Sequence, residues 1–176
     1  MLLWILVIVA LVVVDQVTKL FAVRLLTDGE SVDVIKGIFR FTYVENRGAA
    51  FGMLSEHRWV FMILSTLAIV ALLVYLWKFR PESRFACMAL SMVTAGGIGN
   101  MIDRLFLGYV IDFLDFCAFP QYWVWVFNFA DSLVCVGGGM LAIWLVISLI
   151  DEARTEKLKK AQTDEQPANN DLDVDK

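Results

Sequence analysis

Trp123-Val-Trp-Val-Phe-Asn-Phe-Ala-Asp131-Ser-Leu-Val-Cys-Val-Gly-Gly-Gly-Met-Leu-Ala-Ile-Trp-Leu-Val-Ile-Ser-Leu-Ile150 carries one charged side chain, Asp131, in an otherwise apolar run. A helix needs about 20 mostly apolar residues to cross the hydrocarbon core of a bilayer. The stretch therefore predicts a membrane span over 123–150. The same reasoning gives spans over 1–26, 59–77 and 85–106. The first run is read as a retained helix: it has no basic leading region and no A-x-A site after it, and three further spans follow. The fold class expected is an all-α integral membrane protein of four transmembrane helices, with a small extracytoplasmic β segment after the first.

Composition agrees with that class. Of 176 residues, 59% are hydrophobic and 19% charged, and the mean hydropathy is +0.68. A soluble domain carries about 45–50% apolar residues. The net charge of −4 and the lack of a basic block exclude a nucleic-acid partner. No internal repeat is visible, so residues 1–160 form one domain. Residues 161–176 are polar and acidic with no aromatic residue, which predicts a disordered cytoplasmic tail.

Basic residues orient the chain. Lys78, Arg80 and Arg84 lie in the short loop between spans two and three, and Arg154, Lys157, Lys159 and Lys160 follow span four, whereas Gly108 to Tyr122 has no Lys or Arg. Positive-inside reasoning places that short loop and both termini in the cytoplasm. Lys19 and Arg24, near the outer end of span one, run against the rule. Between the first two spans, an outer segment at about 27–56 contains Ile38 to Val44, whose aromatic and β-branched residues read as a strand. Ser31 to Ile35 can pair with it, and Asn46-Arg47-Gly48 supplies a turn. Cys87, Cys117 and Cys135 make no disulfide framework, and no Cys/His cluster suggests zinc, His57 being the only histidine.

Ionisable groups in spans are costly and mark function. At 1.5 Å per residue, Asp103 lies about 28 Å along a helix from Arg84, and Asp131 about 30 Å back from Asp151. Asp112 and Asp115 sit in the outer loop between those spans, so four carboxylates gather at one membrane depth. Two close carboxylates cannot comfortably both ionise, and so share a proton. The ionised member can take a proton from water as it attacks a carbonyl. The protonated member can polarise that carbonyl and protonate the amine. Which aspartate takes which part is left open, since such a pair titrates as a unit.

Five local sequences carry a resemblance: Asp15-Gln16-Val17-Thr18-Lys19; Asn46-Arg47-Gly48-Ala49-Ala50-Phe51; Gly96-Gly97-Ile98-Gly99-Asn100-Met101-Ile102-Asp103-Arg104; Gly108-Tyr109-Val110-Ile111-Asp112-Phe113; and Phe127-Asn128-Phe129-Ala130-Asp131-Ser132. In this order on four spans, the set closely resembles the bacterial lipoprotein signal peptidases (signal peptidase II). The resemblance implies an aspartic endopeptidase of the inner membrane, with its active site near the outer face and no cofactor. Its partners would be membrane lipids and prolipoproteins, cut just before a diacylglyceryl-modified cysteine. Carried over by matching position, the catalytic pair is Asp112 and Asp131. The supporting residues are Asp15, Lys19, Asn46, Gly48, Asn100, Asp103, Arg104 and Asn128, and no metal is held.

Plainer readings stand beside this one. Asp103 with Arg104 can be an interfacial ion pair, and Asp15 with Lys19, at i and i+4, a structural one. Gly96, Gly97 and Gly99, like Gly137 to Gly139, let helices approach closely. Asp115 is read as a solvated loop residue. A transporter would place charges near the midplane of several spans. A serine–lysine protease would draw on Ser31, Ser55 or Ser132 with Lys19, and a carboxylate metal hydrolase would usually add histidine ligands. A scaffold without an active site would cut nothing.

Overall fold

The computed structural model describes residues 2–26, 31–48, 58–79, 81–119, 121 and 125–165. Ser55, His57 and the end of the Asn46 sequence, 49–51, lie outside that set, as do 166–176. Contacts divide the chain into two units, 1–140 and 141–176. The second holds only the later part of one helix.

Four helices form: α1 (Leu2–Leu26), α2 (Arg58–Lys78), α3 (Arg84–Phe106) and α4 (Phe129–Glu165). By length and composition α1, α3 and α4 can cross a membrane, and α2 carries a shorter apolar stretch, 62–78. Their burial is inverted relative to a soluble helix. Along α1, Leu3, Leu6, Val13, Val17 and Leu20 are exposed while Asp15 and Lys19 are buried. On α2, Ile63, Leu67 and Val70 are likewise exposed. Small residues let the helices meet: a Cβ on Gly99 would overlap the Asp15 carboxylate of α1, and one on Gly96 the Ala130 carbonyl of α4. Gly137 likewise meets Ala89, but Gly138 and Gly139 face open space, so the expected close approach holds at only one of those three.

The strands are β1 (Val32–Ile35), β2 (Phe39–Asn46), β3 (Val110–Phe116) and β4 (Val126–Phe127), in one antiparallel sheet of order β1-β2-β3-β4. The expected hairpin of the outer segment is present, with Val32 opposite Phe41. The sheet is larger than that segment, however, because the loop between α3 and α4 contributes two strands. β2 pairs β3 with Val44 opposite Asp112 and Asn46 opposite Val110. Ala22 and Leu26 of α1 bury against Ile111 and Phe113 of β3, with Phe41 and Tyr43 alongside. That packing seats the sheet on the C-terminal end of α1.

Two boundaries differ from the sequence reading. The fourth span begins as helix at Phe129, because Val126 and Phe127 are taken into β4 opposite Asp115 and Leu114. At its other end α4 continues to Glu165, into the stretch read as tail. Lys, Glu, Ala and Gln there are good helix formers, and Glu156 pairs with Lys160 at i,i+4.

Candidate active site

Asn128 links the sheet to the helix. Its Oδ1 accepts the Asp131 N–H at 2.8 Å, and its own N–H donates to Asp131 Oδ2 at 3.2 Å. This is a capping box with Asn and Asp in place of the commoner Ser/Thr and Glu. The next helical donor, Ala130 N–H, reaches across to Asp15 Oδ1 of α1 at 2.9 Å. Donors that a helix start leaves without partners are thus satisfied by side chains, and Asp131 is fixed in the first turn of α4.

The same asparagine reaches Asp112. Asn128 Nδ2 donates to Asp112 Oδ1 at 2.6 Å and to Asn100 Oδ1 at 3.0 Å. Asn100 Nδ2 donates to Asp131 Oδ1 at 2.7 Å, and Asn46 Nδ2 to Asp112 Oδ2 at 2.9 Å. Each of the four oxygens of Asp112 and Asp131 therefore receives an N–H. The Asn46 side chain is itself held, since its Oδ1 accepts the Gly48 N–H at 3.1 Å. Asp112 is 2% exposed. Its carboxyl is pushed up to about 7, first by burial and then by the charge of Asp131, with the Asn46 and Asn128 amides acting against the rise. The two carboxylates thus share one asparagine and feel each other's charge.

Beneath them sits a buried ion cluster. Lys19 Nζ lies 2.9 Å from Asp15 Oδ2, 2.8 Å from Asp103 Oδ2 and 3.0 Å from Asn100 Oδ1. An ammonium has donors only, so Asn100 must present its oxygen to Lys19 and its NH2 to Asp131. Asp103 ties the cluster to the sheet by accepting the Ile111 N–H at 3.2 Å. Gly108, at φ +82°, makes the left-handed turn that brings β3 back over the end of α3. Arg104 Nη1 donates to the Asn100 carbonyl at 3.3 Å, and its charge acts on Asp131 and Asp112.

The ten residues singled out in the sequence thus converge, through α1, β2, α3, β3 and α4, and the local pairing of Asp15 with Lys19 is one part of a larger cluster. Asp103 pairs with Lys19 of another helix rather than only meeting its neighbour Arg104. Gln16 was missed: its Nε2 lies 3.1 Å from Asp15 Oδ2, 3.2 Å from the Gly99 carbonyl and 3.0 Å from Asp103 Oδ1. An uncharged amide inside an apolar span was its signal. Asp115 is not the solvated residue expected. It is 9% exposed, and its Oδ2 takes Arg40 Nε at 2.6 Å and Thr42 Oγ1 at 3.1 Å, because β2 lies beside it. Among the described residues the serine–lysine arrangement does not assemble. Lys19 is enclosed by two carboxylates, Ser132 Oγ donates to the Asn128 carbonyl, and Ser31 meets Thr42.

Residues 7–147 match the family model described as Signal peptidase (SPase) II. The chain belongs to the signal peptidase II family. A lipoprotein signal peptidase of Caldanaerobacter subterraneus subsp. tengcongensis is 46% identical over 141 residues, 80% of this chain and 94% of that one. That of Clostridium novyi is 39% identical over 142 residues, 81% and 96% respectively. A solved bacterial membrane enzyme, determined by the in meso method at 2.3 Å resolution, superposes with a TM-score of 0.74 at 34% identity, over 83% of this chain and 88% of the other. As a member of the signal peptidase II family the chain is a protease, and its apolar helices agree with a multi-pass membrane protein. Every residue of the cluster around Asp112 and Asp131 lies inside the stretch the family model covers.

Proposed function

We propose that the chain is an aspartic endopeptidase that removes the signal peptide from diacylglyceryl-modified prolipoproteins, cutting before the lipidated cysteine, with Asp112 and Asp131 as its catalytic pair. The carrying observation is that Asn128 bonds both carboxylates while burial, and after it the charge of Asp131, raises Asp112 to about 7. Near neutral pH the pair then holds one proton between two acids. One member takes a proton from the attacking water while the other gives its proton to the carbonyl oxygen; as the C–N bond breaks, the first passes the water's proton to the leaving amine and the second recovers its own from the gem-diol hydroxyl. Asn46, Asn100 and Asn128 hold the pair, and Arg104 offsets its negative charge. Lys19, Asp15 and Asp103 keep Asn100 facing one way.

In this reading all four helices span the inner membrane of a bacterium. Residues 1–160 are the protease, the sheet lies at the outer surface, and both termini and the acidic tail are cytoplasmic. The exposed apolar faces of α1 and α2 support the spans, and the basic turn before α3 supports the orientation. No cofactor enters the chemistry.

The test is cleavage of a lipid-modified preprolipoprotein by the purified protein in a bilayer mimic. Asp112→Asn and Asp131→Asn keep the volume but cannot serve as acid or base, and each should abolish turnover while the protein still folds. Substantial turnover in either variant would falsify the two-aspartate reading.

A further inference from the structure

Between the C-terminal half of α1 and the sheet lies an apolar cavity of about 260 Å³, lined chiefly by Phe21, Ala22 and Leu25 of α1 and by Val32, Phe41 and Phe113. Thr18 also borders it, but its hydroxyl donates to the Asp15 carbonyl at 2.8 Å and so is already engaged. Among the described residues, no side chain bonded to Asp112 or Asp131 lines the cavity. Its chemistry limits what can fill it. An apolar cavity stays dry because a water there would find no polar partners. A peptide backbone would bury N–H and C=O groups there without partners, which is costly. Hydrocarbon meets neither objection. The cavity also continues the exposed apolar surface of α1, since Phe21 and Leu25, which form its border, are 56% and 73% exposed, next to exposed Leu20 and Val17. In a multi-pass membrane protein that surface meets lipid.

We propose that this cavity is a lipid site, occupied by one acyl chain of a bilayer phospholipid that packs against Phe113 and so supports the strand carrying Asp112. The proposal rests on the reading of α1 as a membrane span, and it does not depend on how Asp112 and Asp131 act. The occupant is a bulk lipid rather than the substrate's own chain. The lining is separate from the amide web around the carboxylates, while its rim is the lipid-facing side of α1.

The experiment uses the full chain in vesicles of phosphatidylethanolamine and phosphatidylglycerol that carry a diazirine midway along one acyl chain. Irradiation is followed by peptide mapping by mass spectrometry, and cleavage of preprolipoprotein is measured separately. Labelling of the peptides holding Phe41 and Phe113 is expected, and it should fall severalfold in Ala22→Leu, which fills the cavity from the helix side. Val32→Phe fills it from the sheet side and should do the same if the first variant folds poorly. Labelling of the exposed α2 residues Ile63 and Leu67 should not change in either. Label confined to such exposed faces, or equal label at Phe113 in wild type and both variants, would overturn the proposal. So would label at Phe113 from a diazirine-bearing lipid-modified substrate but not from phospholipid. Because labelling needs no turnover, active Asp112→Asn or Asp131→Asn variants would sink the two-aspartate mechanism while leaving this result intact.

Discussion

Asp112 and Asp131 are both bonded by asparagine amides. Asn46, Asn100 and Asn128 donate to carboxylate oxygens at 2.9, 2.7 and 2.6 Å, and none of them titrates. A lysine in the place of Asn100 would pin its neighbour as an anion. An amide can bond a carboxyl in either protonation state, which the proposed sharing of one proton requires. Lys19 supplies the polarity from one step away, through Asn100. The cost falls on Asp112, whose folded-state carboxyl rises from an ordinary 3.8 to about 7. A raised carboxyl means that the folded protein binds a proton the unfolded chain has released. Asp112 therefore contributes stability that is fully present below 3.8 and is lost as pH rises through about 7. The thermal midpoint of the detergent-solubilised wild type is expected to decline across that window. In Asp112→Asn the decline should be shallower, leaving the variant more stable than wild type at the alkaline end. Parallel slopes, measured by thermal unfolding across the pH range, would show that Asp112 is not the protonated member.

At the level of elements, the helices were legible because a run of apolar residues long enough to cross a bilayer has few other uses. The β1–β2 hairpin was legible from the alternation around Phe39 to Val44. β3 was not, although four of the seven residues in Val110-Ile-Asp-Phe-Leu-Asp-Phe116 are β-branched or aromatic, because its two aspartates read as loop. What makes them strand residues is a partner distant in sequence. Asp115 finds Arg40 75 residues away, and Asp112 finds Asn46 66 residues away. Local patterning carries no record of such a pairing. The start of α4 slipped for the same reason, since Val126 and Phe127 belong to a sheet whose other strands lie elsewhere. The residues that gather around Asp112 and Asp131 were legible as a set, whereas the bonds among them, and the place of Gln16, were not. Asp115 offers a test of the sheet apart from the chemistry. Asp115→Ala leaves Arg40 and Thr42 without their shared acceptor and should destabilise the protein by about 1–2 kcal/mol, with the Arg40 share reduced by its exposure. Cleavage assayed well below the unfolding temperature should stay close to wild type. A loss of turnover in folded protein would instead bring Asp115 into the reaction.

Over the whole molecule, the site draws on α1, α3, α4 and two strands, and none of these elements holds it alone. Lys19 illustrates the consequence. Counted as a loop charge it argues against the proposed orientation, yet it is 1% exposed and lies against Asp15 and Asp103. A lysine neutralised inside the protein is not one of the short-loop charges that set topology. With Lys19 set aside, Arg24 still runs against the rule, but Lys78, Arg80 and Arg84 with Arg154, Lys157, Lys159 and Lys160 weigh toward a cytoplasmic α2–α3 turn and a cytoplasmic end of α4. Single-cysteine variants can read this directly, made after Cys87, Cys117 and Cys135 are replaced. Glu82→Cys in the α2–α3 turn and Glu156→Cys on α4 should resist a membrane-impermeant maleimide in intact spheroplasts and react once the membrane is opened. Lys36→Cys, in the turn between β1 and β2, should react in both. If Glu82→Cys were labelled from outside, the sheet and both carboxylates would face the cytoplasm. Substrates would then have to be cut before crossing the membrane, and the proposed role in processing exported prolipoproteins would fail with the orientation.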